Sequence, residues 1–123
     1  MQDSLAIGIS GSARHLVTPD MSPAHLPHKV LSTPSMVQLI EMTCLTTAQA
    51  HLDDSETTVG VHICVSHSAS VAAGEEVEVR CELTERDRRR LTFVTTVTCG
   101  DRVVSEGTHQ RFVLDTSNVR SLL

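Results

Sequence analysis

The second half of the chain alternates between apolar and polar residues, which is the pattern of strands that expose one face. Residues 59–65 carry apolar side chains at the odd positions, and residues 76–83 do the same with mostly charged residues between them. Residues 91–99 are rich in Thr, Val and Phe, and Gly100-Asp101 supplies turn chemistry before a further run at 102–114. Because successive strand side chains point to opposite faces, the pattern predicts four antiparallel strands with one buried face.

A helix is predicted before these strands, from residue 33 to near residue 52. Thr33 is a favourable N-cap residue, and Pro34 occupies the first helical position, where its missing N–H costs nothing. Apolar or small residues then recur at helical spacing: Met36, Leu39, Ile40, Thr43 and Thr47. Residues 53–55 (DDS) close the helix in a turn.

The first part of the chain is less regular. Residues 5–17 alternate weakly and predict one further strand, and prolines punctuate a loop over residues 18–28 that is long enough to line a site. One long helix and about five antiparallel strands predict an α+β fold, with the helix packed on one face of a curved sheet. Residues 1–123 are expected to form a single domain, with a loose tail from about residue 115.

Composition excludes several classes of protein. The 123 residues carry a formal net charge of -5, with 40% hydrophobic and 20% charged residues, as in soluble globular domains. The acidic balance and the 2% aromatic content argue against a nucleic-acid partner, which requires basic and stacking surfaces. No run approaches the roughly 18 apolar residues of a membrane span, and residues 1–10 lack the basic start of a secretory signal.

The four cysteines fit a reducing compartment. Cys44, Cys64, Cys81 and Cys99 form no C-x-x-C pair, and each lies in an apolar run where a small hydrophobic residue would fit. A chain of 123 residues can build its own core without a disulfide scaffold. We therefore expect four free thiols and a cytoplasmic location.

Three polar residues break the apolar pattern. Glu41 is the only charged residue between positions 34 and 50, on a helix that is otherwise apolar or uncharged. His67 extends the odd-numbered register of residues 59–65, where a carboxylate within reach would fix its tautomer and raise its basicity. Thr33 stands at a helix N-terminus, where free N–H groups stabilise an oxyanion. Each also has a structural interpretation, as an exposed carboxylate, a satisfied core histidine and a cap.

Spacing along the helix limits how these residues can cooperate. Thr33 and Glu41 are eight residues apart, which is about 12 Å along a helix axis. They therefore cannot touch directly. A histidine or a bound substrate would have to lie between them, or a partner subunit would have to supply one of them.

Two other clusters have competing interpretations. The segment His62-x-Cys64-x-x-His67 contains metal-ligand residue types, but alternation puts His67 on the face opposite the other two, so no metal site is expected. Residues 85–90 (ERDRRR) are expected to form a solvated hairpin tip, with phosphate binding by the arginines as the alternative. The sequence contains no G-x-S-x-G motif, no Walker loop and no dinucleotide fingerprint.

The order of loop, long helix and four antiparallel strands resembles the hotdog fold, and three segments resemble one family with that fold. Residues 31–44 (LSTPSMVQLIEMTC) are similar to the helix of the fluoroacetyl-CoA thioesterase-like family. Residues 59–68 (VGVHICVSHS) resemble the strand that follows it, and residues 107–111 (GTHQR) resemble the last strand. The similarity spans about residues 30 to 114.

The resemblance implies a catalytic set of Thr33, Glu41 and His67, the same three residues that break the apolar pattern. It also implies that Gly60 lies close to the site, and that residues of the last strand, His109 and Arg111, contribute to substrate binding. The implied substrate is an acyl thioester of coenzyme A, with no metal and no other cofactor. A homodimer or a dimer of dimers is implied, with sheets joined edge to edge and two active sites at the interface.

The loop before Thr33 departs from the family, because it holds no Phe, Tyr or Trp where the fluoroacetyl-specific enzyme has an aromatic lid. A short- or medium-chain acyl group is therefore expected in place of fluoroacetyl. Glu41 is assigned as base or nucleophile, acting through a hydrogen bond to His67, which shuttles the proton. Thr33 and nearby N–H groups would hold the substrate oxygen or the attacking water.

Two alternatives to a thioesterase stay open. The first is a hotdog hydratase or dehydratase acting on acyl thioesters, which would use the same residue types but give a different product. The second is a non-catalytic module that binds an acyl ligand, in which Glu41 and His67 would be a satisfied buried pair. Fold alone does not decide among these functions.

Overall fold

The computed structural model describes residues 1–117. Within them lie the helix α1 (Thr33–Gln49) and five strands, β1 (Ser10–Leu16), β2 (Glu56–Val65), β3 (Glu76–Asp87), β4 (Arg90–Cys99) and β5 (Arg102–Asp115). A short 3₁₀ turn, Pro19–Met21, interrupts the loop between β1 and α1. Residues 118–123, which include most of the tail expected to be loose, lie outside the described residues. No helix in the described part is long and apolar enough to cross a membrane.

All five strands form one antiparallel sheet in the order β1-β3-β4-β5-β2. Hairpins join β3 to β4 and β4 to β5, whereas α1 follows one edge strand, β1, and precedes the other, β2. The helix packs on one face of the sheet against β1, β2, β3 and β4. The core lies between them and includes Met36, Ile40, Val79, Leu91 and Phe93, all fully buried. The predicted α+β architecture is confirmed.

The predicted alternation is also confirmed in β3. Val77, Val79 and Leu83 are buried against the helix side of the sheet, while Arg80 and Glu82 between them are exposed. The turn after β4 follows its sequence signal as well. Gly100 has φ +58°, a left-handed conformation that glycine adopts without a steric cost.

The start of α1 differs from the prediction by one residue. Ser32 is the N-cap, because its Oγ accepts a hydrogen bond of 3.2 Å from the Ser35 N–H. Thr33 is the first helical residue, so its hydroxyl is not used in capping. The helix ends at Gln49 and not near residue 52. Serine and threonine are both good caps, so local preference alone could not choose between the two neighbours.

Strand β2 departs from the predicted register because a β-bulge lies between Gly60 and His62. Gly60 pairs with Arg111, whereas beyond the bulge Ile63 pairs with His109. A bulge inserts one unpaired residue and reverses the alternation, so even positions face the helix before it and odd positions after it. The expected buried face is therefore wrong before the bulge and right after it, where Val65 packs against the core. The other three apolar residues of this run are nevertheless exposed: Val59 42%, Val61 49% and Ile63 38%.

Candidate active site

Two of the predicted residues meet at the N-terminal end of α1. Thr33 begins the helix and His67 follows β2, and a hydrogen bond of 2.7 Å joins Thr33 Oγ1 to His67 Nδ1. Thr33 is exposed and His67 is half-buried, so a substrate can reach both. When Nδ1 accepts this bond, the proton of the neutral ring lies on Nε2. A hydroxyl bound to an imidazole can activate an oxygen nucleophile or relay a proton.

The helix start offers fewer free N–H groups than the sequence led us to expect. Pro34 has none, the Ser35 N–H binds the Ser32 hydroxyl, and the Met36 N–H binds the Ser32 carbonyl at 3.0 Å. Within residues 1–117, the Thr33 N–H is the one amide of this turn without a partner. A substrate oxygen here would meet a single backbone donor next to the Thr33 hydroxyl.

Glu41 lies about two turns further along α1, beside Gly60 of β2. Its side chain is 40% exposed, and Oε1 is 4.0 Å from both His109 Nε2 and Arg111 Nη1. A Cβ atom on Gly60 would collide with that oxygen. The glycine therefore makes room for the carboxylate against the sheet.

Arg111 and His109 form a buried polar network behind Glu41. Arg111 Nε donates to Thr58 Oγ1 at 2.7 Å, and Nη2 donates to the Thr58 carbonyl at 3.0 Å. Arg111 Nη1 donates to His109 Nε2 at 3.1 Å, and His109 Nδ1 donates to the His62 carbonyl at 2.7 Å. Both ring nitrogens of His109 are thus engaged, in the neutral form with its proton on Nδ1.

Burial sets the charges of this network. It lowers the pKa of His109; the bond to the His62 carbonyl opposes the shift, and nearby Arg111 adds to it. Burial also lowers the pKa of Arg111, against the attraction of Glu41. Arginine nevertheless stays charged in proteins. Glu41 therefore faces one cation and one neutral imidazole.

The lowered pKa of His109 predicts a loss of stability in mild acid. A histidine whose pKa is lower in the folded than in the unfolded chain binds fewer protons when folded, so its contribution to stability declines as pH falls below the unfolded value of 6.5. We expect the melting temperature to fall between about pH 7.5 and about pH 5.5, and less steeply in His109→Gln. Parallel slopes for the two proteins would contradict this role of His109.

The hydrogen bond expected between Glu41 and His67 is not present. Among the described residues, His67 binds Thr33, whereas Glu41 lies against His109 and Arg111. Groups that act on one thioester carbonyl must all come within hydrogen-bond reach of it or of its attacking water. One chain thus presents two separate groups, the Thr33–His67 pair and the Glu41 carboxylate.

A hollow of about 360 Å³ opens beside the Thr33–His67 pair. The loop between β1 and α1 supplies Pro23, Leu26 and Val30 to its wall. Part of the proline-rich loop, which was expected to line a site, thus lines this hollow. None of the residues that line the hollow is Phe, Tyr or Trp.

The competing clusters are placed elsewhere. His62 and Cys64 pair opposite residues on the outer face of β5, and no group of three or more His, Cys, Asp or Glu in residues 1–117 lies close enough to hold a metal ion. Residues 85–90 form the end of the β3–β4 hairpin, with Arg88 and Arg89 in its turn, as the sequence predicts for a hairpin tip.

Sequence reasoning missed Thr58, which anchors Arg111 through its hydroxyl and its carbonyl. The residue is 3% exposed and stands two positions before Gly60, on the same face of β2. Its position relative to Gly60 was the only signal, because a buried threonine in a strand is ordinary.

Substitutions of Ser32 and Thr33 are expected to have different effects, because Ser32 caps the helix and Thr33 binds His67. Ser32→Ala removes the cap and should lower the free energy of unfolding by about 1 kcal/mol, as measured by urea denaturation. Thr33→Val should instead leave the unfolding midpoint nearly unchanged and reduce turnover, because its hydroxyl binds His67 and not the helix backbone. A large loss of stability in Thr33→Val, with Ser32→Ala unaffected, would contradict the assignment.

The fold assigns the protein to a structural class. One long helix on a five-stranded antiparallel sheet is the hotdog architecture. A hot-dog-like protein from Thermanaerovibrio acidaminovorans superposes with a TM-score of 0.88 at 16% identity, covering 98% of this chain and 92% of that one. A thioesterase superfamily member from Thermus thermophilus superposes with a TM-score of 0.88 at 20% identity, covering 96% and 90%.

Sequence comparison identifies the family within this class. The family of the fluoroacetyl-CoA-specific thioesterase matches residues 7–117, so the chain belongs to that family. The fluoroacetyl-CoA thioesterase of Streptantibioticus cattleyicolor is 33% identical over 103 residues, which cover 84% of this chain and 73% of that protein. A variant of a fluoroacetyl-CoA-specific thioesterase, crystallised with fluoroacetate and CoA, superposes with a TM-score of 0.87 at 27% identity, covering 93% and 98%.

Proposed function

We propose that this protein hydrolyses a short- or medium-chain acyl-CoA to the free acid and coenzyme A. The observation that carries the proposal is the hydrogen bond between Thr33 Oγ1 and His67 Nδ1 at the mouth of a hollow. Membership of a thioesterase family supports the reaction class, and the related enzyme crystallised with CoA supports the kind of substrate.

The chemistry assigns complementary tasks to the two groups. Glu41 takes a proton from the attacking water, or attacks the thioester carbon itself to form an anhydride that water then hydrolyses, and in either case the tetrahedral intermediate expels the thiolate. His67, with Nδ1 held by Thr33, donates a hydrogen bond from Nε2 to the leaving sulfur, which finally takes the proton that Glu41 removed from the water, or one from solvent. The Thr33 N–H would donate to the substrate oxygen, and the Thr33 hydroxyl, whose proton is given to His67 Nδ1, would accept a hydrogen bond from the attacking water.

Arg111 and His109 act mainly through Glu41. The Arg111 guanidinium, fixed by Thr58, attracts the ionised carboxylate and keeps it pressed against Gly60. His109 is neutral, so it adds no competing charge. Direct contact of both residues with substrate stays a prediction, since they lie buried behind the Glu41 carboxylate.

The lining of the hollow supports an aliphatic acyl group. Leu26 and Val30 offer apolar contact without an aromatic ring, and the surrounding loop holds no Phe, Tyr or Trp. A flexible alkyl chain gains free energy by burial against such side chains, by about 0.8 kcal/mol for each CH₂. We therefore assign a short- or medium-chain acyl group in place of fluoroacetyl.

A homodimer joined along β2 would bring the two groups together. In the part of the chain that the structure describes, this edge strand pairs only with β5 and exposes Val59, Val61 and Ile63. Apolar edge strands favour pairing with another strand. In a two-fold arrangement, Glu41 of one subunit and the Thr33–His67 pair of the other would flank one thioester. The four free thiols support a reducing, cytoplasmic setting.

Mass-spectrometric assay of an acyl-CoA panel, from acetyl to long-chain and aryl, tests the proposed reaction. We expect free coenzyme A, with the highest kcat/KM on an aliphatic acyl group of short or medium length. A mass gain of one water would instead identify a hydratase. Intact thioester across the panel, with ligand bound, would favour the binding module. Mass detection avoids thiol dyes, which would also react with the protein's own cysteines.

The dimer is tested separately by light scattering during gel filtration. A dimer should have twice the monomer mass of 13.4 kDa. Replacing Ile63 with Asp places a charge on the exposed edge of β2 and should shift the protein toward monomer. Turnover should fall with dimer content if two subunits build each site. A fully active monomer would contradict the shared site.

A further inference from the structure

The arginine hairpin between β3 and β4 holds cations that the fold does not use. The other described arginines each bind a carboxylate, carbonyl or hydroxyl group: Arg14, Arg80, Arg86, Arg89, Arg102 and Arg111. Arg88 and Arg90 form no such ion pair or side-chain hydrogen bond with any residue in 1–117, and both are exposed. In a chain with a net charge of -5, two adjacent free guanidinium groups mark a place where an anion can bind.

These two arginines border a hollow of about 390 Å³. Its wall also contains Asp87, Arg89 and the ring of Phe112. Arg89 reaches away toward Glu56, at 3.6 Å, and Asp87 forms no ion pair with either free arginine within the described residues. Phe112 is half-buried on the outer face of β5, and it is one of only two aromatic residues in the chain.

The backbone conformation of the turn does not explain why residue 88 is an arginine. Arg88 has φ +58° and is the only non-glycine residue with a positive φ in residues 1–117. Glycine or asparagine is favoured at such a turn position. A long cationic side chain at a place better suited to glycine points to a use for its charge.

We propose that this hollow binds the adenine nucleotide of the acyl-CoA substrate, with Arg88 and Arg90 on its phosphates and Phe112 against its base. Paired guanidinium groups bind phosphate oxygens through charge-assisted hydrogen bonds, and an aromatic face stacks on a purine. This inference deepens the proposed function and rests on it for the identity of the ligand.

The pairing of the strands connects this hollow to the candidate active site. Arg90 pairs with Phe112, and Phe112 pairs with Val59, the neighbour of Gly60. Each pairing spans about 5 Å, so the hollow lies two strand spacings from the edge where Gly60 adjoins Glu41. The long pantetheine arm of coenzyme A would lead from this hollow along the outer face toward Gly60 and the thioester site.

Calorimetric titration with adenosine 3′,5′-bisphosphate tests the site directly. We expect binding to the wild-type protein, and dissociation constants at least roughly tenfold higher for Arg88→Ala/Arg90→Ala, since each lost contact is charge-assisted. The double variant Arg14→Ala/Arg80→Ala is the matched control. It removes the same charge from exposed ion pairs with Glu78 at the opposite edge of the sheet, in β1 and β3. No binding to the wild type, or equal binding to all three proteins, would overturn the site.

Kinetics then test whether the nucleotide belongs to the substrate. Arg88→Ala/Arg90→Ala should raise KM for acyl-CoA roughly tenfold relative to KM for the matching acyl-pantetheine, which lacks the nucleotide. An unchanged ratio of the two KM values would contradict the proposal. Should neither thioester be hydrolysed by the wild type, the proposed function fails, and the titration still decides whether the hollow binds a nucleotide.

Discussion

Replacing Glu41 with Gln is expected to reduce kcat by about 10² to 10⁴, the range for removal of an essential acid–base group. Glutamine keeps the shape of the side chain but cannot accept a proton or attack the thioester carbon. The fold should survive, because the Glu41 side chain is 40% exposed and the buried Arg111 keeps its hydrogen bonds to Thr58 and His109 when the carboxylate is lost. Turnover of the preferred acyl-CoA, measured beside the melting temperature, checks both statements.

Glu82→Gln is the matched control for this substitution. Glu82 is exposed on β3, outside the candidate active site, and its replacement makes the same change in charge. We expect wild-type turnover in this variant. Undiminished turnover in a folded Glu41→Gln protein would remove Glu41 from the chemistry and leave the Thr33–His67 pair to act alone.

Gly60→Ala is expected to lower kcat by about 10² without unfolding the protein, because a displacement near 1 Å at a reacting group can cost that much. The added Cβ would meet the Glu41 carboxylate and approach His109 Cε1 to 3.2 Å. The carboxylate is the mobile end of a side chain, so it can move aside at little cost in stability. Gly60 does not have a positive φ, so alanine introduces no backbone strain.

Measuring both the melting temperature and kcat of Gly60→Ala distinguishes a displaced Glu41 carboxylate from an unfolded protein. A nearly unchanged melting temperature with reduced kcat is the expected combination. A parallel loss of stability and activity would show that the glycine serves packing alone. Full activity in a well-folded Gly60→Ala protein would mean that the position of Glu41 against β2 is irrelevant to turnover.

Local patterns predicted much of the fold. Val77 and Leu83 alternate with charged residues in β3, and burial follows that alternation. The same rule failed in β2, since a bulge depends on the pairing partner and leaves no fixed mark on the sequence. Gly60 was the one residue in the sequence that marked the position of this bulge. The cap was displaced by one residue because Ser32 and Thr33 have similar preferences.

The sequence pointed to candidate site residues one by one but not to their arrangement. Thr33, Glu41 and His67 stood out against apolar surroundings, and the family resemblance joined them. Sequence spacing did exclude direct contact between Thr33 and Glu41. It could not show that His67 binds Thr33, 34 residues away in the chain, because such contacts depend on tertiary packing. Thr58 gave no signal beyond its position two residues before Gly60, since its role exists only through the register of β2 with β5.

The most direct test of a shared thioesterase site is activity in mixed dimers of Glu41→Gln and His67→Ala chains. The two variants are co-expressed with different tags, the heterodimer is isolated through both tags, and native mass spectrometry verifies its composition. If each site takes Glu41 from one subunit and the Thr33–His67 pair from the other, one of the two sites is intact. Hydrolysis of acyl-CoA should then return to about half of the wild-type rate, by the two-fold symmetry of the dimer. Heterodimers as inactive as their parents would contradict the shared site.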